Sequence, residues 1–263
     1  MIKYALAFTS ALAMSAASSI PVQAMDHHRT AEHAVIDVAA TRAALAAAPG
    51  RSDEDKARDA SRKPAEVLAF LGLKPGDTVL DLIASGGWYS VAAAIATGPE
   101  GKVYAQNPAA ALQLRDGAYE REITDRLAAN NLPQIERLNK EIADLGIADG
   151  SIDIAITALN FHDVYNSYGA PAAIGMLQAI KAKLKPGGVL GLIDHVGDAD
   201  GDNKTAHRID PALAVAAAEA AGFQVERNDE LLVGTNDDHA RNVFDPAVRG
   251  KTDRFILKLT RPE

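Results

Sequence analysis

The sequence contains no cysteine. Disulfides and thiolate metal sites are thereby excluded, and stability must come from a packed core. It also lacks a positive excess: 27 Lys and Arg face 35 Asp and Glu, for a formal net charge of -8 and a pI near 5.4. A broad phosphate-binding surface is not available to such a chain, which argues against nucleic acid as a partner. No internal repeat is visible. The one long apolar run, Tyr4 to Ala17, is too short and too rich in small residues to anchor well in a bilayer. With Lys3 before it and Val22-Gln23-Ala24 after it, the run predicts a secretory signal cut after Ala24. The expected location is periplasmic or secreted, with no stable membrane span after cleavage. Of the histidines near that end, His27 and His28 are adjacent and would point apart on a helix, while His33 falls at an awkward offset. No metal site is predicted.

What is present is a globular composition, 48% hydrophobic and 24% charged over 263 residues, enough for one full-sized core. Residues 25 to 63 read as a polar-helical cap, with an alanine-rich segment around Ala31 to Ala48, a Pro49-Gly50 break and a charged run to Lys63. Pro64 starts a helix that runs through Leu71 and stops at Gly72. From Thr78 the chain alternates. Strands are predicted at Thr78 to Leu82, Lys102 to Gln106, Ile135 to Glu141, Asp153 to Thr157 and Val189 to Ile193, separated by helices at Trp88 to Ala96, Tyr119 to Asn130 and Ala172 to Leu184. A helix from Pro211 to Gly222 then precedes a closing pair of strands, Phe223 to Arg227 and Phe255 to Leu259. Such alternation implies parallel pairing through right-handed crossovers: a doubly wound α/β sheet with helices on both faces.

Ligands of such sheets bind beyond the carboxyl ends of the strands. Those ends carry Asp81 and the turn Ile83 to Gly87, then Gln106-Asn107, Glu141, Asn160-Phe161-His162-Asp163 and Asp194-His195. Each signal is weak alone, since a Gly-Gly turn is often plain turn geometry and a His-Asp pair is often a helix cap. Five polar strand ends on one edge exceed what packing requires. The segment Asp229 to Thr252 is long for a link between two strands, and reads equally as a lid or as a solvated loop.

These residues resemble a known family. Val79-Leu80-Asp81 with Gly86-Gly87, Asp144-Leu145, Asp149-Gly150-Ser151-Ile152-Asp153, Leu184-Lys185-Pro186-Gly187-Gly188 and Glu219-Ala220-Ala221-Gly222-Phe223 are similar in order and spacing to class I S-adenosylmethionine-dependent methyltransferases. The likeness covers about Pro64 to Arg261. Gly86 to Ser90, Asn160 to Asp163, His207 to Asp210 and Asn242 to Pro246 resemble more narrowly a group of exported bacterial proteins of that class. The resemblance implies a Rossmann-like fold with a mostly parallel seven-stranded sheet, an antiparallel last strand, an N-terminal helical cap (25–63) and a methyltransferase-like α/β domain (64–263). It implies S-adenosylmethionine as cofactor, bound by Asp81, Ser85, Gly86, Gly87, Asn107, Glu141 and Asn160, and a small-molecule acceptor.

His162 is then the preferred base with Asp163 orienting it, although a backbone-bonded His162 explains that turn as well; His195 is the other candidate. His207, Arg208, His239 and Asn242 would line the acceptor side if the long segment folds over the pocket. The bound cofactor would need an open cleft between Ser85 and Asn107. Two departures stand out. Ile83 and Ser85 occupy the first two glycine positions of the loop, where a β-branched side chain is at odds with positive φ, and an amide, Asn107, replaces the acidic ribose clamp. The alternative function is an adenosyl-ligand-binding protein that kept the fold and lost the transfer chemistry.

Overall fold

The structure, a computed structural model, describes residues 34–234 and 237–263. The predicted signal segment, His27, His28, His33 and Asn236 lie outside the described residues. Four helices open the described chain: α1 (Val38–Ala47), α2 (Asp53–Ala57), α3 (Asp59–Arg62) and α4 (Pro64–Leu71). The side chains of Asp37 and Ser52 accept from the backbone N–H of Ala40 and Asp55, satisfying donors that α1 and α2 leave free at their starts. Pro64 opens α4 and Gly72, at φ 85°, ends it.

Seven strands follow: β1 (Thr78–Leu82), β2 (Lys102–Gln106), β3 (Ile135–Leu138), β4 (Ile152–Ala158), β5 (Leu184–His195), β6 (Gln224–Asn228) and β7 (Arg254–Thr260). They form one sheet in the order β3-β2-β1-β4-β5-β7-β6, in which β7 runs antiparallel to both of its neighbours and the other six strands are parallel to one another. Alternation along the strands sends side chains to two cores. Leu80, Leu82, Leu190, Leu192, Leu257 and Leu259 pack on one face, and Val79, Val103, Ile154, Ile156, Ile193 and Ile256 on the other. Among the described residues no helix is long and apolar enough to cross a membrane.

The crossover helices are α5 (Trp88–Thr97), α6 (Ala109–Leu112), α7 (Leu114–Asn130), α8 (Phe161–Lys183), α9 (Asn203–Ala206) and α10 (Pro211–Ala220). Several expectations of extent change; strand β5, for one, runs Leu184–His195 rather than Val189 to Ile193. Strand β3 stops at Leu138 rather than Glu141, because Glu141 begins a 3-10 turn over Ile142–Asp144. Element α8 is two helices meeting at a break: Gly169, at φ 80° and ψ 172°, is not helical, so a short helix from Phe161 precedes the one expected from Ala172. The short helix carries His162 and Asp163 in its first turn.

The cap docks on the sheet's second face. Leu45 of α1 packs with Ala65 and Ala92. Buried Arg51 bonds Asp59 at 2.6 and 2.7 Å, and Asp55 pairs with Arg126 of α7 through two contacts of 2.9 Å. Trp88, 5% exposed, lies beneath this network and donates its indole N–H to the Asp55 carbonyl at 3.1 Å.

Candidate functional site

Strand order reverses between β1 and β4, so the crevice beyond their carboxyl ends is where a wound sheet offers a ligand site. The loop after β1 places Ile83 at φ 50°, Ser85 at φ 50° and Gly87 at φ 76°, all left-handed. Ile83 therefore adopts the conformation its side chain was expected to forbid. Such a residue costs about 1–2 kcal/mol, and neighbouring bonds hold it there. The Ile83 N–H donates to Gln106 Oε1 at 3.0 Å and the Ala84 N–H to the Gln106 carbonyl at 2.9 Å. The Ser85 N–H donates to Asn107 Oδ1 at 2.8 Å, while Asn107 Nδ2 returns a bond to the Ser85 carbonyl at 3.2 Å. Across the crevice, Leu159 after β4 is also left-handed, at φ 64°.

These bonds redefine several of the expected cofactor residues. Asn107 is fully buried with its amide engaged on Ser85, so it braces the loop instead of facing a sugar, and the space between Ser85 and Asn107 is closed by direct contact. Gly86 serves packing: a Cβ there would lie 2.5 Å from Glu122 Oε2 and 2.7 Å from Arg126 Nη1 of α7. Asp81 is buried and accepts from Ser90 Oγ at 2.6 Å. Burial raises its carboxyl to about 7, with the Ser90 bonds opposing. Glu141 is exposed beyond β3, and Asn160 turns back to Thr157 Oγ1 and the Ala158 carbonyl.

Beyond β4 and β5 the polar groups meet one another. Asp194, fully buried, accepts from the His162 N–H at 2.8 Å and the His195 N–H at 2.8 Å, and its Oδ1 lies 2.7 Å from His162 Nδ1. Asp194 was not among the expected site residues, although its place beside His195 at the strand end was the available signal. His162 Nε2 in turn lies 3.3 Å from Asp163 Oδ1, which also meets His207 Nδ1 at 3.2 Å. The His162 ring stands 6.1 Å from that of His195 and 5.6 Å from that of His207. His162, Asp163, His195 and His207 are thus brought together.

Environment separates the two buried histidines. At His162 burial pulls the pKa down, but Asp194 and Asp163 outweigh it and push the group up to about 10. At His195 burial acts first and positive neighbours, Arg254 foremost, act with it, driving the pKa well below the ordinary value. The two environments thus pull the imidazoles in opposite directions, His162 toward the charged form and His195 toward the neutral one. His195 Nδ1 lies 2.8 Å from Thr252 Oγ1.

Three expected acceptor-side residues are held elsewhere. Arg208 is fully buried, bonded twice to Asp237 at 2.8 Å, to the Val196 carbonyl at 2.7 Å and to the Arg241 carbonyl at 2.9 Å; its guanidinium bolts the long segment down. Asn242 donates to the Thr205 carbonyl at 2.7 Å and accepts from the Phe244 N–H at 2.8 Å. His239 Nε2 sits 2.7 Å from Asp253 Oδ2, tying it to the β7 side of the sheet. The segment from 229 to 252, apart from residues 235 and 236, is thus fastened beside β5 and β7. A tight crevice without room for a water molecule is lined by Arg62, Tyr89, Leu159, Ile193, Leu232 and Arg254. Arg254 is 5% exposed and its Nε has no hydrogen-bond partner among the described residues.

No protein-family model matches the sequence, and no curated protein matches it. Solved structures do match. A SAM-dependent methyltransferase from Aquifex aeolicus aligns with a TM-score of 0.58 at 22% identity, over 85% of this chain and 98% of its own. The [4+2]-cyclase SpnF aligns at 0.57 and 17% identity, over 88% and 86% of the two chains. An arsenic(III) S-adenosylmethionine methyltransferase from Chlamydomonas reinhardtii aligns at 0.51 and 18% identity, over 85% and 73%. The protein thus has the Rossmann-like class I methyltransferase fold. Because a [4+2]-cyclase shares that fold, the reaction must be argued from the site.

Proposed function

We propose that the protein transfers a methyl group from S-adenosylmethionine to a small-molecule acceptor at the carboxyl edge of β1, β4 and β5. The observation that carries this reading is backbone strain on both sides of the strand-order reversal. Ile83 and Ser85 on one side and Leu159 on the other are left-handed without being glycine. Strain of this kind persists where surrounding bonds enforce it, and it concentrates at ligand sites.

The loop has the backbone path of a glycine-rich turn leading into a helix, and because Ser85 and Asn107 are bonded to each other, the cofactor in this reading lies against the loop's outer surface rather than between those two residues. Gln106 and Asn107 keep that path fixed before any ligand arrives, which lowers the ordering cost of binding. Asp81 sits beneath the loop, while Glu141 and Asn160 stand at the ends of β3 and β4 as the remaining polar groups on the cofactor side. When bound, S-adenosylmethionine supplies an electrophilic methyl group on a sulfonium.

The chain's own part is alignment and proton handling. Holding an acceptor in line within about 3.5 Å of the reacting carbon accounts for most of what such a site must do. In this reading His195, driven toward the neutral form, takes the acceptor's proton, supported by Thr252 and by the bond of its backbone to Asp194. His162, Asp163 and His207 frame the acceptor end, with Phe244 closing on His207 at 5.0 Å between ring centres.

Calorimetric titration with S-adenosylmethionine and S-adenosylhomocysteine tests the cofactor half. One site per chain is expected, with Asn107→Ala weakening it at least tenfold while the protein stays folded. No heat at millimolar ligand defeats the proposal. Bound ligand combined with no methylated product from small-molecule extracts replaces it with the binding-only alternative.

A further inference from the structure

We propose that His162, Asp163 and His207 form a binding site for a divalent transition-metal ion of the zinc or iron(II) class. The three donor atoms are His162 Nε2, Asp163 Oδ1 and His207 Nδ1, and all lie within 4.8 Å of one another. Asp163 Oδ1 is 3.3 Å from the first nitrogen and 3.2 Å from the second. An ion bonded to nitrogen and oxygen at roughly 2.0–2.2 Å holds adjacent donors about 3 Å apart, so Asp163 already stands at coordination spacing from both imidazole nitrogens. Two imidazoles and one carboxylate suit zinc or ferrous iron, and three protein donors leave positions open for water or an acceptor oxygen.

The support behind the donors argues for a built site. His162 is 3% exposed, and its Nδ1 lies 2.7 Å from Asp194, itself fully buried and anchored by two backbone N–H bonds. A carboxylate on one ring nitrogen fixes the tautomer and turns the other nitrogen's lone pair toward the metal, as at histidine metal sites generally. That other nitrogen points at Asp163. Placement comes from two segments distant in the chain. His162 and Asp163 start α8, while His207 follows α9 with a left-handed backbone at φ 56°. Asn166 Nδ2 joins the segments by donating to the Arg208 carbonyl at 2.8 Å. The ion would replace the proton shared between His162 and Asp163. This inference does not depend on methyl transfer.

The test uses the full chain without a histidine tag, with His27, His28 and His33 together replaced by alanine so that they contribute no ligand. Chelator-stripped protein is titrated with zinc by calorimetry and with cobalt(II) by visible spectroscopy. One equivalent of each ion is expected, with cobalt bands of a nitrogen and oxygen ligand set. His207→Ala, at a half-exposed position that leaves the core intact, should weaken zinc at least 100-fold, and Asp194→Asn about 10- to 100-fold. The absence of any binding overturns the proposal. So does zinc affinity unchanged in His207→Ala, or affinity lost in His239→Ala alone, which would assign the ion to Asp237, His239 and Asp253.

Discussion

The β1 end and the β4–β5 end of the sheet use polar side chains in opposite ways. At β1, Gln106 and Asn107 turn inward to hold a strained backbone, so the polar surface left for a ligand there is main chain. At β4 and β5, Asp194 is the brace, and the groups it holds, His162 and His195, are themselves the reactive ones. A rim of polar strand ends therefore divides into braces and working groups, and only the hydrogen-bond partners tell them apart.

The sharpest way to break the contrast is at Arg208, which looks like a working cation and acts as a brace. Arg208→Met leaves Asp237 buried without its partner, and the expected loss is about 3–5 kcal/mol in urea unfolding. Adding Asp237→Leu should restore much of it; if the double variant is no better than the single one, the pair is not what holds the segment.

Next in size is the pH response of Asp81. Its folded pKa is raised from 3.8 to about 7, so its contribution to stability is full below pH 4 and is lost as pH rises to about 7. The shift corresponds to an upper bound on the order of 4 kcal/mol. Asp81→Asn should remove this slope and leave the variant more stable than the parent at pH 8. Equal melting temperatures of parent and variant at pH 5 and pH 8 would contradict the assignment.

The smallest effect is expected at Ile83. Ile83→Gly relieves the left-handed strain but loosens the unfolded chain, for a net gain of no more than about 1 kcal/mol. If stability instead falls by more than that, the Ile83 side chain is packed to the protein's benefit and the strain argument weakens.

Much of the architecture was legible from the residues because local and global signals agree. Strands β1 and β2 fall where the short apolar runs end, and Pro64 and Gly72 bound α4. The short helix from Phe161 was not legible, whereas the break at Gly169 and Pro171 before the helix expected from Ala172 is where such residues usually put one. The site was half visible. His162, Asp163 and His195 stand at strand ends, where topology alone directs attention. His207 meets Asp163 across 44 residues, and Arg208 meets Asp237 across 29, distances at which no local pattern carries pairing. Nor does a sequence reveal that Ile83 is held left-handed by an amide 23 residues away.

The chain's one tryptophan offers a direct handle on the cap. Trp88 is gripped between α5 and α2, with the Arg51 and Arg62 guanidinium carbons 5.6 and 4.8 Å from its ring centre. Its fluorescence therefore comes from a single known place, at the first residue of the helix that follows the strained loop. Emission should shift to the red when the cap lifts, giving an optical signal of cap opening that needs no label.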